Sequence, residues 1–160
     1  MKKLRLYLDS SIFGWSLNQS NPGRFAEANL LLKQIPKENL LALTPGLASR
    51  RLNLHRTILP RSSGKKVESA KLKAVAVHIR TQANKLAQTY CERKIVPVDF
   101  EADAFHIAMA TLWNADALVS YNFQYIVNLE IMVAVNKINK ELDLNEIFLC
   151  QPQEVIISGC

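Results

Sequence analysis

The chain has 160 residues, 49% of them hydrophobic and 21% charged, with five glycines and six prolines. That is one domain's worth of sequence with enough apolar residues for a core, and it excludes disordered, collagen-like and low-complexity classes. The 20 Lys and Arg against 14 Asp and Glu leave a formal net charge of +6, which suits a polyanionic partner without identifying one.

In chain order, Leu4–Leu8 is a short run of strand formers ending at Asp9-Ser10-Ser11. Asp9 also interrupts any signal-peptide core after Met1-Lys2-Lys3, so a cytoplasmic protein is expected. Arg24–Ile35 places Phe25, Ala28, Leu31, Leu32 and Ile35 at helical spacing, with Pro36 as a stop. Leu40–Thr44 reads as a second strand and Pro45-Gly46 as a turn; Pro60–Lys66 reads as a loop between helices. Val67–Arg93 is expected to be mostly helical, with Leu72, Val75, Ile79, Leu86 and Tyr90 facing inward. Asp99 is placed to N-cap a helix running to about Asn114. Ala117–Ser120 reads as a strand, Phe123–Asn128 as a short helix, Ile131–Leu142 as a longer one and Ile147–Cys150 as a last strand. Strands alternating with helices predict a parallel sheet covered on both faces, in a single domain spanning residues 1–160. No run reaches 18 apolar residues, so no membrane span is expected. Cys91, Cys150 and Cys160 lack C-x-x-C spacing, so neither a disulfide framework nor a structural zinc site is expected.

The positive charge is concentrated. Between Arg50 and Lys94 stand twelve basic residues and two acids, Glu68 and Glu92, a balance of +10; the remaining 115 residues sum to −4. Such a run is either the solvated face of a helix or a phosphate-binding flank, in which Arg50, Arg51, Lys65 and Lys66 are candidate nucleic-acid contacts. Tyr90 is the only Phe, Tyr or Trp in that window, so base stacking is not expected within it.

Open parallel sheets bind ligands beyond the C-terminal ends of their strands. Asp9 follows the first strand, Asn122 follows Ala117–Ser120, and Asp103 lies a turn inside a helix, interrupting an otherwise apolar stretch. An isolated buried carboxylate is costly, so Asp103 must be ion-paired, hydrogen-bonded or metal-bound. Each group also has a structural reading. Asp9 is suited to cap the helix after it, Asp103 to pair with a lysine, and Asn122 to cap the helix expected to begin at Phe123. His106, on the same helix as Asp103, reads as a histidine satisfied by packing.

Leu6-Tyr7-Leu8-Asp9-Ser10-Ser11-Ile12-Phe13 resembles the opening motif of PIN-domain proteins, the fold of VapC-like toxins and related nucleases. Asp103–Thr111 is similar to the family's third-acid helix, and Leu118–Ile126 to its following strand and fourth-position loop. Asn136–Leu142 and Gln151–Ile156 resemble the tail of a bacterial branch, so the likeness runs over nearly the whole chain. The resemblance implies a three-layer α/β/α sandwich with a small, mainly parallel sheet. It also implies acids binding Mg²⁺ or Mn²⁺ for RNA hydrolysis, which accords with the preference of hard cations for oxygen ligands. Carried over by position, Asp9 and Asp103 become metal-binding acids, Asn122 the fourth catalytic position, and Ser10 and Ser11 supports for Asp9. RNA, a small antitoxin and a second copy of the chain are the implied partners.

One element departs from the pattern. Where the family has a second acid after the second strand, this chain reads Leu43-Thr44-Pro45-Gly46-Leu47-Ala48-Ser49-Arg50-Arg51-Leu52, and no carboxylate occurs between Glu38 and Glu68. Local divergence and an altered reading frame across Gly46–Lys66 both account for this. By helical geometry Glu101 lies roughly 160° around its helix from Asp103 and Asp99 about 40° away but a turn earlier, so neither replaces the missing acid. Three functions are compatible with these residues: a metal-dependent ribonuclease, an impaired PIN domain that binds RNA or protein without cutting, or an interaction module.

Overall fold

The computed structural model of the chain describes residues 4–35, 40–43 and 66–156. Its four short strands are β1 (Leu4–Leu8), β2 (Leu40–Leu43), β3 (Ala117–Val119) and β4 (Phe148–Cys150). They form one sheet in the order β2-β1-β3-β4, with every neighbouring pair parallel. Leu8 is in register with Val119, and Val119 with Cys150. The ladder runs one residue further, since Asp9 N–H donates to Val119 O at 3.1 Å and Ser120 N–H to Cys150 O at 3.0 Å. Asp9 and Ser120 are therefore held side by side at the C-terminal edge of the sheet.

Six α-helices are described: α1 (Ser10–Leu17), α2 (Pro22–Gln34), α3 (Lys66–Glu92), α4 (Glu101–Leu112), α5 (Leu129–Glu141) and α6 (Pro152–Val155). Their starts follow local chemistry. Asp9 caps α1 by accepting from Ser10 and Ser11 N–H. Asn21 caps α2, with Pro22 at its first position, and Asn128 caps α5. Each supplies a side-chain oxygen to N–H groups that the helix leaves unpaired.

Side-chain alternation along the strands sends residues to opposite faces. Tyr7, Leu118 and Leu149 enter one core with Ala83, Leu86, Ala87, Tyr90 and Cys91 of α3, the apolar face of α4, and Ile131, Val135 and Ile138 of α5. Leu6, Leu8, Ala117, Val119 and Cys150 enter the other with Ile12 of α1 and Ala28, Leu31 and Ile35 at α2. The buried positions of α3 follow the i, i+3, i+4, i+7, i+8 pattern of a helix with one apolar stripe. The two sets of strand residues thus enter two separate cores. Deep in the first core, Tyr90 donates to Asn139 Oδ1, whose amide nitrogen in turn reaches Asn145 O at 3.4 Å.

Two local expectations fail. Asp99 caps no helix: Val98–Phe100 forms a 3-10 turn, Asp99 is exposed, and α4 begins at Glu101 with no side-chain cap. Phe123–Asn128 is a series of turns, not a helix, and the following helix starts at Leu129, two residues before Ile131, because Asn128 caps it. Helices α3, α4 and α5 are each followed by a non-glycine residue with positive φ: Lys94 (58°), Asn114 (52°) and Asp143 (57°). Asn145 Nδ2 donates to Asn114 Oδ1 at 2.9 Å, joining the two loops that lead into β3 and β4. Cys91 and Cys150 are buried free thiols. None of the described helices is long and apolar enough to cross a membrane.

Candidate active site

Asp9 is 5% exposed, and its carboxylate is enclosed by donors. Oδ1 accepts from Ser10 N–H at 2.6 Å and Ser10 Oγ at 3.2 Å. Oδ2 accepts from Ser11 Oγ and Ser120 Oγ, each at 2.7 Å. The hydroxyls are themselves oriented by the backbone. Tyr121 N–H donates to Ser11 Oγ at 3.1 Å and Asn122 N–H to Ser120 Oγ at 3.0 Å, so each hydroxyl accepts from the chain and turns its proton toward Asp9. His106 Nε2 lies 3.7 Å from Asp9 Oδ1. Burial acts to raise the Asp9 pKa, but the bonds from Ser11, Ser120 and Ser10 and the facing imidazole overcome it and hold the group below its ordinary value.

Asp103, the third residue of α4, is half-buried. Its pKa moves the other way, raised first by burial and then by the negative charge of Asp9, against a hydrogen bond from Asn122 and the attraction of His106. The two carboxylates therefore share one electrostatic field but differ in how they are satisfied: Asp9 is surrounded by protein donors and Asp103 is not.

Asn122 is half-buried and joins Asp103 to the loop after β3. Its Oδ1 accepts from Gln124 N–H at 3.2 Å and Tyr125 N–H at 3.1 Å, closing the first turn of the 123–126 segment. The amide oxygen that a cation would need is thus occupied by the backbone, and the amide nitrogen faces Asp103.

Asp9 and Asn122 both act on the Asp103 carboxyl, and Ser10 and Ser11 donate to Asp9. The sequence alone does not single out Ser120, although its position one residue past β3, level with Asp9, is the available signal. His106 packs as its place on an apolar helix suggests, with Tyr7 Oη 2.9 Å from its Nδ1, but its other nitrogen faces Asp9. His106 also lines a shallow pocket of about 480 Å³ with Asn84, Gln88, Glu101, Ala102 and Phe105.

Arg50, Arg51 and Lys65 lie outside the described residues, as does the expected place of the second acid; Lys66 is described only as the first residue of α3. Among the described residues no three His, Cys, Asp or Glu side chains form a group able to hold a metal ion. Asp9 and Asp103 are the carboxylates the site offers, and Mg²⁺ bound by one or two carboxylates completes its shell with water or substrate phosphate. The carboxylate open to a cation is Asp103, whose proton affinity is raised first by burial and then by the Asp9 charge.

No protein-family model, curated protein or solved structure matches this chain.

Proposed function

We propose that this chain is a PIN-type domain, a three-layer α/β/α sandwich, acting as a metal-dependent ribonuclease of toxin type with an incomplete acidic cluster. The observation that carries the reading is the contact of α4 with the Asp9 edge of the sheet, where His106 Nε2 stands 3.7 Å from Asp9 Oδ1 and Asp103 lies one turn away on the same helix. Mg²⁺ or Mn²⁺ would be held by these two carboxylates, supplying charge stabilisation at phosphoryl oxygens. Asp9 is kept anionic by its three seryl hydroxyls, and Asn122 orients Asp103 through its amide. His106 holds its Nε2 toward Asp9 and restrains its orientation. By the same resemblance the protein works in the cytoplasm on RNA, as a homodimer controlled by a small antitoxin.

The test is cleavage of a short RNA by the purified chain in Mn²⁺, compared with EDTA and with Asp103→Asn. Metal-dependent cleavage lost in the variant supports the reading. Cleavage that survives the substitution traces to another nuclease and removes it.

A second reading, a PIN domain that binds RNA without cutting, is favoured by one observation. The Asn122 Oδ1 is engaged by two backbone N–H groups and cannot reach a cation without opening the 123–126 turn. RNA binding with no metal-dependent cleavage would establish it.

A further inference from the structure

On α2, facing the loop that carries Tyr121 and Asn122, a guanidinium is held among three aromatic rings. Arg24 Cζ lies 4.9 Å from the ring centroid of Trp15, 5.5 Å from that of Tyr121 and 5.9 Å from that of Phe123. The rings come from segments that also carry the site. Trp15 is on α1, the helix that Asp9 caps, while Tyr121 and Phe123 flank Asn122. Tyr121 is fixed in place: its N–H donates to Ser11 Oγ, and its hydroxyl lies 3.2 Å from Glu27 Oε2 and 3.3 Å from Arg24 O. The other Glu27 oxygen accepts from Gln153 Nε2. Among the described residues no carboxylate forms an ion pair with Arg24. Its charge rests against π faces and remains available. Phe123 is 45% exposed.

A polyanion reaching Asp9 and Asp103 meets two carboxylates at the sheet edge, so its neighbouring phosphates need a cation close by. A planar guanidinium with an open aromatic ring next to it offers both recognition elements of a single strand, one for the phosphate and one for the base. Resting on the RNA reading of the acidic pair, we propose that Arg24, Trp15 and Phe123 form a single-stranded RNA subsite flanking that pair. Arg24 takes a phosphate next to the one at Asp9 and Asp103, Phe123 stacks on the adjoining base, and Trp15 holds the guanidinium in position.

The experiment is fluorescence anisotropy with a labelled, unstructured oligoribonucleotide in EDTA, over a series of salt concentrations. Arg24→Gln is expected to weaken binding and to reduce the slope of log affinity against log salt by about 0.7, the loss of one phosphate contact on a single strand. Phe123→Ala is expected to weaken binding roughly five-fold or more with the slope unchanged. Arg24→Lys keeps the charge and therefore the slope, but loses affinity with the planar face. Wild-type affinity and slope in Arg24→Gln overturn the subsite, and so does failure of the wild-type chain to bind. If Arg24→Gln does not fold, unchanged affinity in both Phe123→Ala and Arg24→Lys overturns it. Metal-dependent cleavage with binding indifferent to Arg24 removes the subsite and leaves the ribonuclease reading standing. Arg24-dependent binding without cleavage does the reverse.

Discussion

Tyr7 Oη and His106 Nδ1 lie 2.9 Å apart, joining the central strand β1 to helix α4 directly beneath the acidic pair. Burial, followed by the nearby Asp9 charge, raises the Tyr7 pKa far above its ordinary value, so its hydroxyl keeps its proton. The anionic Asp9, 3.7 Å from Nε2, favours a proton on that nitrogen, and a neutral imidazole then leaves Nδ1 to accept from the Tyr7 hydroxyl.

Tyr7→Phe should lower stability by about 1 kcal/mol through loss of that hydrogen bond, a drop in Tm of roughly 2–4 °C for a chain of this size. Thermal unfolding followed by circular dichroism measures it. An unchanged Tm would mean that the Tyr7–His106 bond contributes nothing net.

Ser120→Ala removes one of the short bonds to Asp9 and should cost about 1.5–3 kcal/mol at pH 7, the range for hydrogen bonds to charged groups. Asp9 has a folded pKa below its unfolded value of about 3.9. Its contribution is therefore complete above that value and is lost as pH falls through the folded pKa. The difference between wild type and variant in urea unfolding should shrink in acid. A difference equally large once Asp9 is protonated would contradict the assignment.

Asp103→Asn should have the opposite sign. A carboxyl whose folded pKa is raised penalises the folded state at pH above that pKa, and the penalty disappears as pH falls through it and then through the unfolded value of about 3.9. The variant is expected to be more stable than wild type at pH 7, with the gain vanishing in strong acid. Equilibrium unfolding across that pH range decides it, and a destabilised variant at pH 7 would sink the expectation.

Asn122→Asp keeps an oxygen for the Gln124 and Tyr125 N–H groups but replaces the amide donor facing Asp103 with a second negative oxygen. Without metal the Tm should fall. Mn²⁺ should then raise it more than in wild type, because binding to the folded state alone stabilises by about 1.4 kcal/mol at ten times the Kd. Thermal melts with and without Mn²⁺ supply both readings, and an Mn²⁺ response no larger than that of wild type would show that a third carboxylate adds nothing to cation binding.

Much of this arrangement is legible in the residues themselves. Leu4–Leu8 alternates between the two cores and ends at a residue whose side chain caps the next helix, so strand, face and site edge can be read together. The approach of Asp103 to Asp9 is not legible locally, because it depends on how α4 packs beside β1, an element some ninety residues away in sequence. Asp99 misleads since Pro97 starts a 3-10 turn that uses up the capping position, a tertiary choice that local propensity does not record. Asn122 and Asn128 are both good N-caps, and nothing local says that only the second opens a lasting helix. Ser120 is silent in the sequence because a strand-end serine becomes a carboxylate donor only once β1 lies beside β3.

The left-handed residues after α3, α4 and α5 have a consequence for how the molecule can change. Asn114 and Asp143 precede strands β3 and β4 and so lie at the end of the sheet away from Asp9, where the Asn145–Asn114 amide contact links their loops. A side chain held at positive φ carries a steric penalty that glycine escapes. The floor of the domain therefore retains unspent stability, open to modification without disturbing the charged rim on which the chemistry would depend.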